Sequence, residues 1–148
     1  MYKTAIIYCS LHHKNTEKLV KAIKSKYNIT LIDASVHNSA DLSVYELIGF
    51  ASGIAFGKFY SPVEKFLAEN LPENKKIFFM YTCANNNSKF TDSIRKLATD
   101  KNAVVVGQYS CKGFNTYGPL KFIGGMNKNH PDNTDIESAV EFFESISL

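Results

Sequence analysis

The run Ala5-Ile6-Ile7-Tyr8-Cys9-Ser10-Leu11-His12-His13-Lys14-Asn15-Thr16-Glu17-Lys18-Leu19-Val20-Lys21-Ala22-Ile23 decides how this chain folds. Its opening apolar stretch is too short for a helix of its own and reads as a buried strand. Past Asn15, the residues Leu19, Val20, Ile23 and Tyr27 recur at helical spacing, with Lys18, Lys21 and Lys24 on the opposite face. Between strand and helix lies a short loop of hydroxyl, imidazole and amide side chains. Such a helix N-terminus offers free backbone N–H groups and a partial positive charge to an anion. The other reading is an ordinary strand–turn–helix with Asn15 as N-cap. On this stretch alone the two readings stand level. Neither G-x-x-x-x-G-K-[ST] nor G-x-G-x-x-G occurs, so a P-loop NTPase or a dinucleotide site has no support.

Outward from this unit the pattern repeats. Ile29-Thr30-Leu31-Ile32-Asp33 alternates like an edge strand, and residues 34–44 are polar without clear period. Glu46-Leu47-Ile48-Gly49-Phe50-Ala51 reads as the next buried strand, with Ser52 to Tyr60 as the loop after it. Ser61 as N-cap and Pro62 at the first helical position open a helix. Ile77-Phe78-Phe79-Met80-Tyr81 is a fourth strand, and Ser88 caps the helix built on Phe90, Ile94 and Leu97. Ala103 to Tyr109 is a fifth strand. A long connection with four glycines, Cys111 to Pro131, precedes a last helix that opens on the capping box Thr134-Asp135-Ile136-Glu137. Five strands alternating with helices predict an α/β sheet with helices on both faces.

The totals narrow the class. A chain of 148 residues, 45% apolar and 21% charged, is expected to form one soluble globular domain over 1–148. No apolar run approaches a membrane span, and Met1-Tyr2-Lys3 leaves no room for a signal peptide. Cys9, Cys83 and Cys111 lack C-x-x-C spacing, so free thiols in a reducing cytoplasm are expected, with no structural zinc or iron–sulfur cluster. A net charge of +3 is too mild to imply nucleic acid. Charge is uneven, however: six lysines against Glu17 between Lys3 and Lys26, and five acids without a base from Asp132 onward. Either the basic end meets an acidic partner, or the first and last helices lie side by side and balance each other. The second is expected.

Ligands of open α/β sheets sit beyond the carboxyl ends of the strands, where strand order reverses. The loops there include Ser10 to Thr16, Ser52 to Tyr60, Thr82 to Asn87, and Cys111 to Pro131. Glycine allows close backbone approach to a planar ligand, and aromatic faces stack on it. Four segments then resemble the flavodoxin family over nearly the whole chain: Ser10-x-His12-His13-x-Asn15-Thr16; Leu47-Ile48-Gly49-Phe50-Ala51-Ser52-Gly53-Ile54-Ala55-Phe56-Gly57-Lys58-Phe59; Gly113-Phe114-Asn115-Thr116-Tyr117-Gly118-Pro119; and Gly124-Gly125 leading to His130-Pro131.

The resemblance implies a flavodoxin-like, doubly wound parallel sheet of five strands in the order 2-1-3-4-5, binding one FMN non-covalently. Carried over residue by residue, Ser10, His12, Asn15 and Thr16 meet the phosphate, with His13 and Lys14 in the same loop. Ser52, Gly53, Ile54, Ala55, Phe56, Gly57 and Lys58 enclose the ring, together with Thr82, Cys83, Ala84 and Asn85. Lys14 stands where the best-known flavodoxins carry glycine, so a positive φ there strains it. No tryptophan is present, so Phe56, Phe59 or Tyr60 must stack. His13 is expected to be a solvated imidazole, His130 a loop anchor and Cys83 inert. A receiver domain, a rival of the same fold, is opposed by Ala51-Ser52 and Cys9-Ser10 where it needs metal-binding acids. The function implied is an electron carrier, a monomer or weak dimer, serving redox partner proteins or a small donor or acceptor. The alternative is a flavin-dependent NAD(P)H or quinone reductase with 111–131 as a substrate lid.

Overall fold

The computed structural model describes residues 1–116 and 118–148; Tyr117, in the third segment quoted above, lies outside them. Strand β1 (Thr4–Cys9) is buried along its length because alternate side chains enter two different cores. Ile6 and Tyr8 enter one, and Ala5, Ile7 and Cys9 the other. Helix α1 (Asn15–Lys26) and strand β2 (Thr30–Asp33) follow. Residues 34–46 form turns, and β3 (Leu47–Ala55) then doubles back through Phe56-Gly57 into the short β4 (Lys58–Phe59). After α2 (Ser61–Asn70) come β5 (Lys76–Cys83) and a 3-10 turn, Ser88–Thr91, leading into α3 (Asp92–Asp100). The chain finishes with β6 (Val104–Lys112), a second 3-10 turn, Gly118–Ile123, and α4 (Asn133–Ile146).

Five strands run parallel in the order β2-β1-β3-β5-β6. That is the expected order 2-1-3-4-5 once β4, antiparallel to β3, is set aside. The chain leaves β1 toward β2 on one side and returns to β3 on the other, so strand order reverses between β1 and β3. Leu19, Val20 and Ile23 of α1 lie with Ala139, Val140 and Phe143 of α4 over Ile6, Leu47, Phe78 and Met80. On the opposite face Val63, Phe66 and Leu67 of α2, with Ile94 and Ala98 of α3, cover Ile7, Ile48, Phe50 and Phe79. Gly49 has a packing reason: a Cβ there would stand 2.3 Å from the Phe78 ring. The Tyr27 hydroxyl donates to Glu144, so the basic first helix and the acidic last one lie side by side, as expected.

The structure corrects several boundaries. Strand β3 does not stop at Ala51 but continues through Ser52–Ala55. The Ser52 hydroxyl is wholly buried, accepts from the Tyr60 N–H at 2.9 Å and donates to the Gly53 carbonyl at 2.6 Å, stapling the β3–β4 hairpin. The reading of Asn15, Ser61, Ser88 and Thr134 as caps also fails. Lys14 and Tyr60 take the cap positions of α1 and α2 without a side-chain cap bond. Asn87 accepts from the Lys89 N–H at 2.9 Å to open the 3-10 turn. At α4 the reciprocal box is Asp132 and Asp135, each side chain taking the other's N–H at 2.9 Å. A cap is chosen by backbone angles that sequence spacing leaves open by a residue or two. Among the described residues, no helix is long and apolar enough to cross a membrane.

Candidate functional site

At the carboxyl ends of β1, β3, β5 and β6 lies a cleft of about 740 Å³, a volume in the range of cofactor sites. Its floor is the start of α1. The first N–H groups of a helix have no intrahelical carbonyl. Here the Glu17 N–H is taken by the Ser10 hydroxyl at 3.1 Å and the Lys18 N–H by the Lys14 carbonyl at 3.1 Å. The Ser10 oxygen is therefore engaged by the helix while its O–H remains available as a donor. The loop reaches this geometry through two consecutive left-handed residues, His13 at φ 53° and Lys14 at φ 54°. Lys14 is strained where glycine would be relaxed, as its position suggested. Relief of that strain exceeds the added unfolded-state entropy of glycine. Lys14→Gly should thus stabilise the fold by about 0.5–1 kcal/mol in urea titration.

Asn15 is buried at the helix start and acts as a cross-tie rather than a cap. Its Nδ2 donates to the Phe114 carbonyl at 2.8 Å, 99 positions along the chain. Its Oδ1 is buried and accepts from no group among the described residues. Gly113 stays a glycine because a Cβ there would meet that amide at 2.7 Å. The Thr16 and Thr82 hydroxyls share a hydrogen bond of 3.0 Å beneath the cleft, joining the first turn of α1 to the end of β5.

Of the predicted site residues, the cleft brings together Ser10, His12, Asn15 and Thr16 below, Gly53, Ile54, Ala55 and Phe56 on one wall, and Thr82, Cys83, Ala84 and Asn85 on another. His13, Lys14, Ser52, Gly57 and Lys58 do not line it. His13 is not a freely solvated imidazole: its Nε2 pairs with the Thr116 hydroxyl at 2.9 Å and its ring lies 4.1 Å from that of Phe114. Gly57 takes the tip of the hairpin at φ 78°, and Lys58 pairs with Glu64 at 3.6 Å. Phe59 belongs to the core, wedged against Phe79 and Tyr81. The rings at the cleft are instead Phe56, Tyr60, Phe90 and Phe114, with His12 edge-on to Tyr60 at 6.4 Å.

The fourth wall is Gly113-Phe114-Asn115-Thr116 with Lys121; the 111–131 loop was placed at the ligand end from its sequence, but these residues were not named among the site residues. It is fastened on both sides. The Gly113 N–H bonds the Cys83 carbonyl at 3.0 Å, Asn115 and Met126 exchange backbone bonds of 2.9 and 2.7 Å, and the Asn127 amide donates to the Ala84 carbonyl at 2.9 Å. His130 anchors the far end, its Nδ1 2.6 Å from Asp135.

The thiols near the cleft are held neutral. Burial pushes Cys83 up to about 11, and burial with the Asp135 charge pushes Cys111 up to about 12. Two units cut the thiolate fraction at about pH 8 roughly a hundredfold, and a thiolate-selective reagent should label Cys83 that much more slowly than a free thiol. The sign for stability follows. Both folded pKa values are raised, so the stabilisation is complete below the ordinary thiol pKa and is lost as pH rises through about 11–12.

No family model matches the chain. It is 40% identical to the uncharacterized protein MJ0298 of Methanocaldococcus jannaschii over 146 residues, covering 97% of each. Among solved structures it resembles oxidised Flavodoxin 2 from Bacillus cereus (TM-score 0.69, 18% identity, 97% of both chains covered). It also resembles the flavodoxin, WrbA-like protein from Agrobacterium tumefaciens (TM-score 0.68, 15% identity, 99% and 96% covered). A third likeness is to the Fusobacterium nucleatum flavodoxin bound to flavin mononucleotide (TM-score 0.64, 14% identity, 99% and 97% covered).

Proposed function

Because this chain belongs to the family of the Methanocaldococcus jannaschii protein and carries the flavodoxin fold, we propose that it binds one FMN and carries electrons between redox partners. One observation carries the reading: the start of α1 forms the floor of an aromatic-walled cleft at the point where strand order reverses. The residues present fit the group. Free first-turn N–H groups and the Ser10 hydroxyl suit a phosphate, and the orphaned Asn15 Oδ1 suits a donor such as a ribityl hydroxyl. Ile54, Ala55, Phe56 and Tyr60 suit a flat, largely apolar ring. When bound, FMN supplies the one- and two-electron chemistry. The protein's own part is to hold the phosphate, exclude water from one ring face and leave an edge open to partners.

The carrier is favoured over the reductase by the ties on residues 113–130. The reductase reading needs that segment to move as a lid, whereas hydrogen bonds to Asn15, Cys83 and Ala84 make its ends a fixed wall. The test is an anaerobic titration of FMN-loaded protein. Dithionite should bleach the flavin band, and NADPH alone should leave it unchanged over minutes. Bleaching by NADPH within seconds would replace the carrier with a reductase.

A further inference from the structure

We infer that the Tyr60 hydroxyl is the hydrogen-bond donor by which the cleft wall reads a carbonyl on the polar edge of its ring ligand, an inference that rests on the FMN reading above. The hydroxyl side chains lining the cleft are those of Ser10, Thr16, Tyr60, Thr82 and Thr116. All but one are engaged. Ser10 takes the Glu17 N–H, Thr16 and Thr82 bond each other, and Thr116 pairs with His13. The Tyr60 hydroxyl bonds no group among the described residues. Its side chain is nevertheless nine-tenths buried, the residue being 9% exposed. A buried hydroxyl without a partner costs stability, and at a cleft wall a ligand is what supplies the missing acceptor.

The donor is held in place from both sides. The Tyr60 N–H donates to the Ser52 hydroxyl at 2.9 Å, and the Tyr60 carbonyl accepts from the Val63 and Glu64 N–H groups at 3.0 and 3.3 Å. Its neighbour Phe59 is wedged in the core, and α2 begins at Ser61. The phenol ends over the bare Gly53, where a Cβ would stand 2.4 Å from the hydroxyl. Burial, with the Cys9 thiol second, raises the phenol above its ordinary value, so the O–H stays a donor. Nothing has to be reorganised for it to bond a ligand. The rest of this wall, Gly53, Ile54, Ala55 and Phe56, offers no polar side-chain atom. A single polar atom on an apolar wall orients a flat ligand. A ring carbonyl fits as acceptor, since its lone pairs lie in the ring plane at the ring's edge. Phosphate has its own donors at the start of α1. Reduction of the ring raises electron density on its carbonyls, which strengthens the same bond and favours the reduced form.

The test is Tyr60→Phe, which removes one oxygen and keeps the ring over Gly53. Tyr45→Phe, just before the amino end of β3, is the control. Calorimetry on the flavin-free variant should show FMN and riboflavin weakened alike, by about three- to tenfold. The flavin carbonyl stretch in the infrared difference spectrum should move to higher frequency. A loss three- to tenfold larger for the reduced form should shift the two-electron midpoint potential negative by about 15–30 mV. The urea midpoint of the flavin-free protein should not fall, because the hydroxyl has no protein partner to lose. Weakening of FMN but not of riboflavin would put the hydroxyl on the phosphate and overturn the inference. So would an unmoved carbonyl stretch, an unmoved potential, an equal effect of Tyr45→Phe, or a lower urea midpoint, which would make the hydroxyl structural. A wild-type protein that binds neither flavin would sink the cofactor reading and the contact with it. One that binds FMN equally well with and without the hydroxyl would sink the contact alone.

Discussion

Riboflavin should bind this protein at least about a hundredfold more weakly than FMN, because the only difference between them is the phosphate that the proposed site at the start of α1 would hold. The donors are already in place. Asn15 and Thr16 lie in the first helical turn, where backbone N–H groups lack helical acceptors, and the Ser10 hydroxyl is held beside them through its bond to the Glu17 N–H. Each charge-assisted hydrogen bond contributes about 1.5–3 kcal/mol. Two of them give about 3–6 kcal/mol, or two to four orders of magnitude in affinity. The helix dipole adds a smaller term in the same direction. Calorimetry on the flavin-free protein measures both ligands directly. Equal affinities would mean that the loop holds no phosphate, and that the strand–turn–helix is no more than a connection.

The second large effect concerns two glycines of one hairpin that are constrained for different reasons. A Cβ on Gly53 would stand 2.4 Å from the Tyr60 hydroxyl and 2.7 Å from its ring, while Tyr60 is held in place by the Ser52 staple. Gly53→Val should cost about 1–3 kcal/mol of stability through overpacking. It should also push Tyr60 into the cleft, lowering FMN affinity by at least about tenfold. Gly57 is the opposite case. Nothing lies within 4 Å of its missing Cβ, but its φ is 78°. Gly57→Ala should cost about 1 kcal/mol by backbone strain and leave the flavin affinity unchanged. Urea denaturation and fluorescence titration of the two variants separate the effects. A Gly53→Val protein that binds FMN like wild type would remove Tyr60 from the wall of the site.

The local grammar of the chain was legible without coordinates. The apolar run of β1, the helical spacing of Leu19, Val20 and Ile23, and the hydroxyl-rich loop between them are short-range features, and they place strand, loop and helix where the structure has them. Five of the six strands were legible as apolar runs and β4 was not, while the order of the five came from the flavodoxin resemblance rather than from the runs themselves. Boundaries were less legible. Ser52–Ala55 looks like loop in sequence and is strand in the fold, because Ser52 and Gly53 pair with Tyr81 and Thr82 of β5 and Ile54 and Ala55 with Phe59 and Lys58 of β4.

The site divides in the same way. Strand-end position picked out the loops, 111–131 among them, and the flavodoxin resemblance named individual residues in the first loop and at the β3 and β5 ends. The individual residues of the wall at Gly113–Thr116 were not named, because Asn15 reaching across 99 residues and His13 across 103 hold them at the cleft. Sequence by itself determined which segments are strands and helices and which loops follow the strands, because those signals repeat every two to four residues. Only the tertiary structure decided which side chains face one another across the cleft, because parallel strands bring together the ends of segments that the chain itself keeps far apart.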